Sequence, residues 1–330
     1  MPRTVQSLYS EPMRFSALLL VLETLLLAVP IGAQGGQTPG SAAPKAAGTA
    51  AVPAEIRQGD ALLIWMPAPA AASDYAGEAV LRSPEGTPLQ RSPGVLVPGS
   101  SDPGRTLFIF GIPMDAAPGS YSVEIRGTRS GIPDSSSHPL TVLSRDFLAE
   151  DIPLNRDLTS LRTEPSPRKE EEARVYAEIL GRSDPGGVWL DGSFLRPVAS
   201  ERRTSHFGDR RRYLYATGGT AAAVHAGIDF AAPAGTPVKA AGRGRVVLAA
   251  DREVTGNTVV LEHLPGVYTI YMHLDALSAA PGAVLERGAV LGTVGSTGLA
   301  TGPHLHWELR VRGVACDPET PAFSEFPRGP

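Results

Sequence analysis

Residues 302–309 read Gly-Pro-His-Leu-His-Trp-Glu-Leu, and this stretch decides how the C-terminal half of the chain is interpreted. The run over residues 305–311 has the composition of a β-strand, in which successive side chains point to opposite faces. His304 and His306 therefore project from one face, while Leu305 and Trp307 project from the other. Two imidazoles on one face can bind one metal ion together, or one can bind the ion while the other works beside it.

A second stretch supplies matching chemistry. Residues 225–229 read His-Ala-Gly-Ile-Asp. Gly227 and the nearby Pro233 argue against a helix, and the even spacing places His225 and Asp229 on one side of an extended segment. Imidazole and carboxylate groups are good zinc ligands, and three protein ligands with an open fourth position are typical of a catalytic zinc site.

Composition narrows the kind of protein and the kind of metal site. The 330 residues suffice for two domains, and 42% of them are hydrophobic. Lys plus Arg number 30 against 34 for Asp plus Glu, which argues against a nucleic-acid partner. The single cysteine, Cys316, permits no intrachain disulfide and no thiolate-rich zinc site. Any metal must therefore be held by His, Asp and Glu.

The N-terminal segment has the pattern of an export signal. Residues 15–33 form an apolar run behind Arg14 that ends in small residues, which predicts a signal peptide over residues 1–33. Translation from Met13 would keep every element that such a signal needs. An uncleaved signal-anchor is the alternative, since about 20 apolar residues span a bilayer. We expect an exported protein located in the periplasm or cell envelope, attached to a membrane only if that anchor is retained.

The next two segments predict a tether and a β-rich module. Residues 34–53 are rich in Ala, Gly and Pro without hydrophobic periodicity, which is typical of a flexible tether. Over residues 54–145, β-type runs alternate with Gly/Pro turns, most clearly at 61–66, 106–112, 120–126 and 140–143. Tyr121, Val123 and Ile125 share one face of the third run. The spacing predicts an immunoglobulin-like β-sandwich without its usual disulfide.

Residues 146–193 predict a helical connector, and the rest of the chain predicts a second β domain. Ser166 before Pro167 is a helix start, and Gly181 supplies the stop. An apolar stripe lies between them at helical spacing: Val175, Tyr176, Ile179 and Leu180. Strands at 244–249, 258–262 and 267–271 indicate an antiparallel sheet in a domain over 194–322, followed by a tail over 323–330. The predicted fold class is mostly β.

The C-terminal domain resembles the lysostaphin/LytM-type zinc metallopeptidases, which cut peptide cross-links in bacterial cell walls. The resemblance covers roughly residues 194–318, with a weaker match upstream through Trp189-x-x-x-x-Phe194-x-x-Pro197. The motifs that carry it are His225-x-Gly-Ile-Asp229-Phe, Ala232-Pro-Ala-Gly-Thr-Pro-Val238, Gly256-Asn257, Tyr271-Met-His273-Leu, Gly295-Ser-Thr-Gly298 and Thr301-Gly-Pro-His304-Leu-His306-Trp-Glu.

The resemblance implies a division of roles. His225, Asp229 and His306 are expected to hold one Zn²⁺, while His273 and His304 flank the attacking water without binding the ion. A dication with two neutral imidazoles and one carboxylate lowers the pKa of its bound water to about 7. We expect His304 to act as the base and His273 to stabilise the oxyanion and leaving group, although both can share the proton transfers.

Several other residues have open assignments. His263 is expected to be a structural histidine and His206 a surface loop residue. Arg210 either forms a structural ion pair or contacts a substrate carboxylate. Met272 occupies a position where the resembling family usually has a small residue, and we expect it to narrow the groove. Cys316 is expected to be a packed small side chain.

The leading hypothesis is an exported zinc metalloendopeptidase that hydrolyses peptide bonds in peptidoglycan stem peptides or cross-links. The alternative is a non-catalytic scaffold of the same fold that binds and activates another cell-wall hydrolase. The five filled positions count against that alternative, and zinc content separates the two. In a third hypothesis, the N-terminal module is the main functional part as a partner-binding domain.

Overall fold

The computed structural model describes residues 50–67, 77–97, 105–129 and 132–327. The predicted signal peptide over 1–33 and residues 34–49 of the predicted tether lie outside these ranges. Ala50 and Val52, at the end of the predicted tether, pack against the N-terminal module. Among the helices of the described ranges, none is both long and apolar enough to cross a membrane.

The N-terminal module consists of two sheets that share one core. Its strands in the described ranges are β1 (Glu55–Arg57), β2 (Ala61–Pro67), β3 (Gly77–Arg82), β4 (Pro88–Pro93), β5 (Val95–Val97), β6 (Arg105–Gly111), β7 (Gly119–Arg129) and β8 (Ile132–Leu143). One sheet has the order β1-β8-β7-β3-β4 and the other β2-β6-β5. Phe108 and Phe110 of β6 meet Val123 and Ile125 of β7 in the core between them.

The predicted strands of this module are confirmed as β2, β6, β7 and β8. The face predicted for Tyr121, Val123 and Ile125 is buried in the shared core, because β7 alternates between core and solvent. The immunoglobulin-like assignment stays a prediction. One feature of the pairing is that β1 runs parallel to β8.

The connector contains β9 (Ala149–Pro153), α1 (Arg156–Thr163) and α2 (Pro167–Gly181). Helix α2 begins after Ser166, whose hydroxyl accepts a hydrogen bond from the Lys169 amide, and it ends at Gly181 as predicted. Its apolar stripe is also confirmed, with Tyr176 buried against the C-terminal sheet. Strand β9 was not predicted.

The C-terminal part is built on one large sheet. The described elements are β10 (Arg203–Ser205), β11 (Arg210–Leu214), β12 (Thr220–Val224), β13 (Gly227–Ala231), β14 (Pro237–Lys239), β15 (Gly244–Arg252), β16 (Gly256–Leu264), β17 (Val267–Leu277), β18 (Val284–Leu285), β19 (Val290–Val294), β20 (His304–Val311), β21 (Val314–Cys316) and α3 (Pro321–Ser324). The main path is β10-β13-β20-β17-β16-β15-β18, and β12-β11-β9 form a small separate sheet. The strand pairs along this path are antiparallel, as predicted.

The two faces of the large sheet pack against different cores. Leu305 and Trp307 of β20 lie in a core on one face. Met272 of β17 lies on the opposite face, in a cluster with Tyr176 and Ile179 of α2. Met272 is the register partner of His306 and therefore shares its face of the sheet. Its side chain is nevertheless buried against α2, so the structure does not bear out the expectation that it narrows the groove.

A third core joins the N-terminal module to the C-terminal part. Leu107 and Ile109 of β6 pack in it with Leu309 and Val311 of β20. At Gly111 the approach is so close that a Cβ atom would lie 2.7 Å from the Cβ of Val314. The two parts therefore share buried apolar surface across their boundary.

A charged contact and the end of the chain reinforce that boundary. Arg145 donates hydrogen bonds to Asp60 of the module (2.6 Å) and to Asp317 of the C-terminal part (2.7 Å). Phe323 and Phe326, within the predicted tail, are buried in the third core.

Candidate active site

The three residues predicted as metal ligands converge at the centre of the large sheet. Asp229 of β13 and His306 of β20 are directly paired neighbours on antiparallel strands. His225 lies two residues before β13. The first residue of β13, Gly227, must be a glycine, because a Cβ atom there would lie 2.3 Å from the Trp307 carbonyl oxygen on β20. His306 Nδ1 lies 2.8 Å from Asp229 Oδ1 and 2.9 Å from His225 Nε2. His225 Nε2 lies 3.2 Å from Asp229 Oδ1.

Outer hydrogen bonds fix which ring nitrogens face this centre. His225 Nδ1 donates to the His206 carbonyl oxygen at 2.8 Å, and His306 Nε2 donates to Glu308 Oε1 at 2.9 Å. A carbonyl oxygen can only accept, so Nδ1 of His225 must carry its proton. In the neutral imidazoles, Nε2 of His225 and Nδ1 of His306 therefore present lone pairs to the carboxylate. With both rings neutral, three acceptors would crowd together with no hydrogen between them, so the centre requires either a metal ion or an added proton.

This donor set fits a zinc ion. Ligand atoms about 2.1 Å from a tetrahedral zinc stand about 3.4 Å apart, slightly more than the separations observed here. All three residues are buried, and their ligand atoms lie within 4.8 Å of one another. Two imidazole nitrogens and one carboxylate oxygen are typical of catalytic zinc sites. His225, Asp229 and His306 are thus the residues that can hold the metal.

The same crowding controls protonation when no cation is bound. Burial lowers the pKa of His306, but its hydrogen bonds to Asp229 and Glu308 outweigh burial and raise the pKa to about 9. Burial raises the pKa of Asp229, yet His225 and His306 hold it well below its usual range. The centre is therefore strongly biased toward holding one positive charge between its acceptors.

The second oxygen of Asp229 is held by an arginine. Arg211 of β11 donates from Nη2 to Asp229 Oδ2 at 2.5 Å and from Nε to Glu150 Oε1 at 2.6 Å. Burial lowers the pKa of Arg211, but the two carboxylates outweigh it, so the pKa is raised and the guanidinium stays charged. Asp229 Oδ1 is thereby left to face the imidazoles.

His273 reaches the site through a distorted strand. The pairing of β17 with β16 is irregular between Tyr271 and Leu274, and His273 adopts φ 61° in the left-handed region. A non-glycine residue there costs of order 1–3 kcal/mol and is typical of functional sites. Its Nδ1 donates to the Thr297 carbonyl oxygen at 2.8 Å, which leaves Nε2 as an acceptor.

Thr297 is positioned by the glycine motifs that the sequence singled out. Its hydroxyl accepts a hydrogen bond from the backbone N–H of Asn257 at 2.9 Å and donates one to the Leu274 carbonyl oxygen at 2.8 Å. Gly256 has no room for a side chain because a Cβ would lie 2.2 Å from Thr297 Oγ1. The turn at Gly256 and the Gly295–Gly298 segment therefore act together to orient His273.

His304 lies beside His273 at the start of β20. Its Nδ1 donates to the Gly302 carbonyl oxygen at 2.8 Å, its Nε2 is 3.8 Å from Asp229 Oδ1, and the two rings are 4.8 Å apart. Both rings line a cavity of about 490 Å³ that also contains Asp229 and His306. Burial and the neighbouring histidines lower the pKa of His273 to about 3, so its ring is neutral at ordinary pH.

Other singled-out residues lie outside this constellation. Arg210 lies over the ring of Phe147 at 4.6 Å, and among the described residues its guanidinium forms no ion pair; a contact with a substrate carboxylate stays a prediction. His263 is buried between the Arg243 carbonyl oxygen and Thr269, which confirms a structural role. Cys316 is a fully buried free thiol, as expected.

His206 and three further residues contribute in ways that the sequence did not indicate directly. The exposed ring of His206 takes no part, but its carbonyl oxygen orients His225. Glu308 could have been found from strand alternation, since it lies two residues after His306 and shares its face. Arg211 and Glu150 meet the site through long-range strand pairing, which leaves no local sequence signal.

Comparison with known proteins agrees with this site. Residues 223–318 match the model of Peptidase family M23. Over 132 residues, the chain is 42% identical to the DD-carboxypeptidase/endopeptidase Mpg of Neisseria meningitidis, which covers 40% of this chain and 30% of that protein. It is 37% identical over 174 residues to the peptidoglycan DD-endopeptidase ShyA of Vibrio cholerae, covering 52% of this chain and 39% of the relative. The chain thus spans about a third of the length of these relatives.

The fold agreement extends beyond the matched segment. A crystal structure from Pseudomonas aeruginosa assigned to peptidase M23 superposes with a TM-score of 0.55 at 25% identity, over 79% of this chain and 92% of that one. The mostly β architecture is therefore shared across most of the chain. Residues 223–318, which carry the candidate site, are therefore a Peptidase M23 domain.

Proposed function

We propose that this protein is an exported zinc metalloendopeptidase that hydrolyses peptide bonds in peptidoglycan stem peptides or cross-links. The observation that carries the proposal is the convergence of three buried acceptor atoms, on His225, Asp229 and His306, within 3.2 Å of one another. Without a metal ion or an added proton such a cluster is electrostatically unfavourable, because buried lone pairs facing each other lack the donors they require.

A bound Zn²⁺ would supply Lewis-acid polarisation of the scissile carbonyl and a water nucleophile at neutral pH. The chain itself supplies two proton-handling groups. His273 and His304 each donate Nδ1–H to a backbone carbonyl, which fixes the ring and leaves Nε2 unprotonated toward the cavity. His304 Nε2, near Asp229, can take a proton from the attacking water. The same proton can then pass to the departing amine, either directly from His304 or through Nε2 of the neighbouring His273.

Substrate class and location rest on the relatives. The names of Mpg and ShyA describe DD-endopeptidases, and ShyA is named for peptidoglycan. The predicted signal peptide agrees with a substrate in the cell envelope. The catalytic cavity is bounded by β9 and β11 on one side and by residues 299–304 on the other, which suits an extended peptide strand.

The test uses the purified full chain on cross-linked muropeptide dimers, with the fragments identified by mass spectrometry. We expect cleavage that a chelator abolishes and added zinc restores. His306→Ala should lose both zinc and activity, whereas His138→Ala, a histidine in the N-terminal module, serves as the matched control. Absence of both zinc and cleavage in a folded wild-type protein would favour the scaffold alternative.

A further inference from the structure

Strand β9 belongs to the connector, well before the segment that matches the family, yet it lies beside the metal centre. Glu150 of β9 is the register partner of Arg211 on β11, and Asp151 is the partner of Arg212. Because strand side chains alternate, the first pair faces the site and the second faces solvent. Exposed side-chain fractions agree: 27% and 12% for Glu150 and Arg211, against 47% and 60% for Asp151 and Arg212.

One route leads from Glu150 to Asp229. Glu150 Oε1 accepts from Arg211 Nε at 2.6 Å, and Arg211 Nη2 donates to Asp229 Oδ2 at 2.5 Å. A guanidinium is planar and rigid, so fixing one edge of it fixes the direction of the other. Glu150 therefore sets the rotation of the Asp229 carboxylate through Arg211.

A second route leads from Glu150 to His225. The Ser205 hydroxyl lies 2.5 Å from Glu150 Oε1 and 3.0 Å from Asp209 Oδ2. Asp209 Oδ2 accepts from the His206 amide at 2.7 Å, and the His206 carbonyl oxygen accepts from His225 Nδ1 at 2.8 Å. The loop that orients His225 is thus tied to the same carboxylate.

We infer that Glu150 is a positioning residue for the metal centre, which orients Asp229 through Arg211 and braces the loop that orients His225. This inference rests on the proposed function, because it needs a zinc ion at His225, Asp229 and His306. Removing the outer hydrogen bonds of metal ligands typically lowers metal affinity by about 10- to 100-fold. The functional unit therefore begins at the connector rather than at the boundary of the family match.

The test compares Glu150→Gln with Asp151→Asn in the full chain. Both variants remove one negative charge from β9, but only the first touches the network. Zinc affinity is measured by competition with a chromophoric chelator, and the visible spectrum of the Co²⁺-loaded protein reports ligand geometry. We expect Glu150→Gln to bind zinc about 10- to 100-fold more weakly with an altered Co²⁺ spectrum. Asp151→Asn should stay within about twofold of wild type, since exposed ion pairs contribute little.

Each outcome decides the matter. Equal zinc affinity and equal Co²⁺ spectra in the two variants would overturn the inference and leave the proposed function standing. A folded wild-type chain without zinc affinity would overturn both. If circular dichroism shows that Glu150→Gln is unfolded, Arg211→Lys carries the same test. Lysine keeps the charge but cannot bond Glu150 and Asp229 through one planar group, so we expect the same loss of affinity, and wild-type affinity would reject the inference.

Discussion

Stripping zinc from the protein should make its stability fall as pH rises from about 7 to about 9. In the metal-free fold, Asp229 and Glu308 raise the pKa of His306 from 6.5 to about 9 against the effect of burial. A raised pKa stabilises the fold fully below the unfolded value, and this contribution is lost as pH rises through the folded value. Each pH unit is equivalent to about 1.4 kcal/mol, so the loss from 6.5 to 9 is about 3 kcal/mol.

Zinc should remove this pH dependence, because Nδ1 of His306 cannot hold a proton and a metal ion together. The stabilisation by zinc should therefore grow by about 1.4 kcal/mol per pH unit across the same interval. Neighbouring groups do not mask the effect. The pKa values of Asp229 and Glu308 are held well below their usual ranges, and those of His225 and His273 are lowered, so their charges are constant above pH 7.

The assay is urea unfolding at several pH values, with free zinc buffered in one series and excess chelator in the other. Taking the difference between the series cancels contributions common to both, such as the buried thiol of Cys316, whose pKa is raised by burial. In Glu308→Gln, His306 loses one of its two carboxylate partners, so the stabilisation by zinc should increase less between pH 7 and pH 9. Two stability curves that stay parallel from pH 7 to pH 9 would refute the reasoning.

Three further predictions concern single side chains. His304→Ala should keep its zinc but lose about 100- to 10,000-fold in turnover, the usual effect of losing a general acid–base group; zinc content and muropeptide hydrolysis measure this. Met272→Ala should cost about 2–5 kcal/mol of unfolding free energy through a cavity beneath α2, with zinc affinity retained. Arg145→Ala should cost about 3–5 kcal/mol, because it leaves Asp60 and Asp317 facing each other without their shared cation. The loss should be smaller at low pH, where these carboxylates are protonated, and urea unfolding at two pH values measures it.

Each of these has a contrary outcome. Loss of zinc from folded His304→Ala at neutral pH would mean that His304 is a ligand and that the assigned roles are wrong. A Met272→Ala protein with a wild-type midpoint would show that this contact with α2 contributes little. An Arg145→Ala penalty that does not change with pH would exclude repulsion between the two carboxylates as its cause.

Short sequence patterns predicted the features that depend on interactions within a few residues, namely strand alternation and the ends of helices. Alternation along residues 304–309 placed His304 and His306 on one face, and the Ser166–Pro167 start with its Gly181 stop set the bounds of α2, because caps and strand periodicity act over a few residues. Strand β9 has no such signature. Its exposed, polar sequence forms a strand only because β11 pairs with it, a contact more than fifty residues away.

The error at Met272 has the same origin. Its place in the motif next to His273 suggested the groove, and Met272 does share a face with its register partner His306, but α2 covers that part of the sheet. The packing of a helix from the connector on this face leaves no signal in the motif itself. Arg210 and Arg211 show the point again: the motif position draws attention to the first, whereas strand register brings the second to Asp229.

The apolar core shared by β6 and β20 limits how this protein can be divided into parts. Leu309 and Val311 belong to the strand that carries His304 and His306, and they are covered by Leu107 and Ile109 of the other half. A chimera that kept only the C-terminal half would expose these apolar side chains on the reverse of the strand that carries the candidate site. We therefore expect that exchanging the N-terminal module for an unrelated domain would disturb β20 and the histidines that it carries.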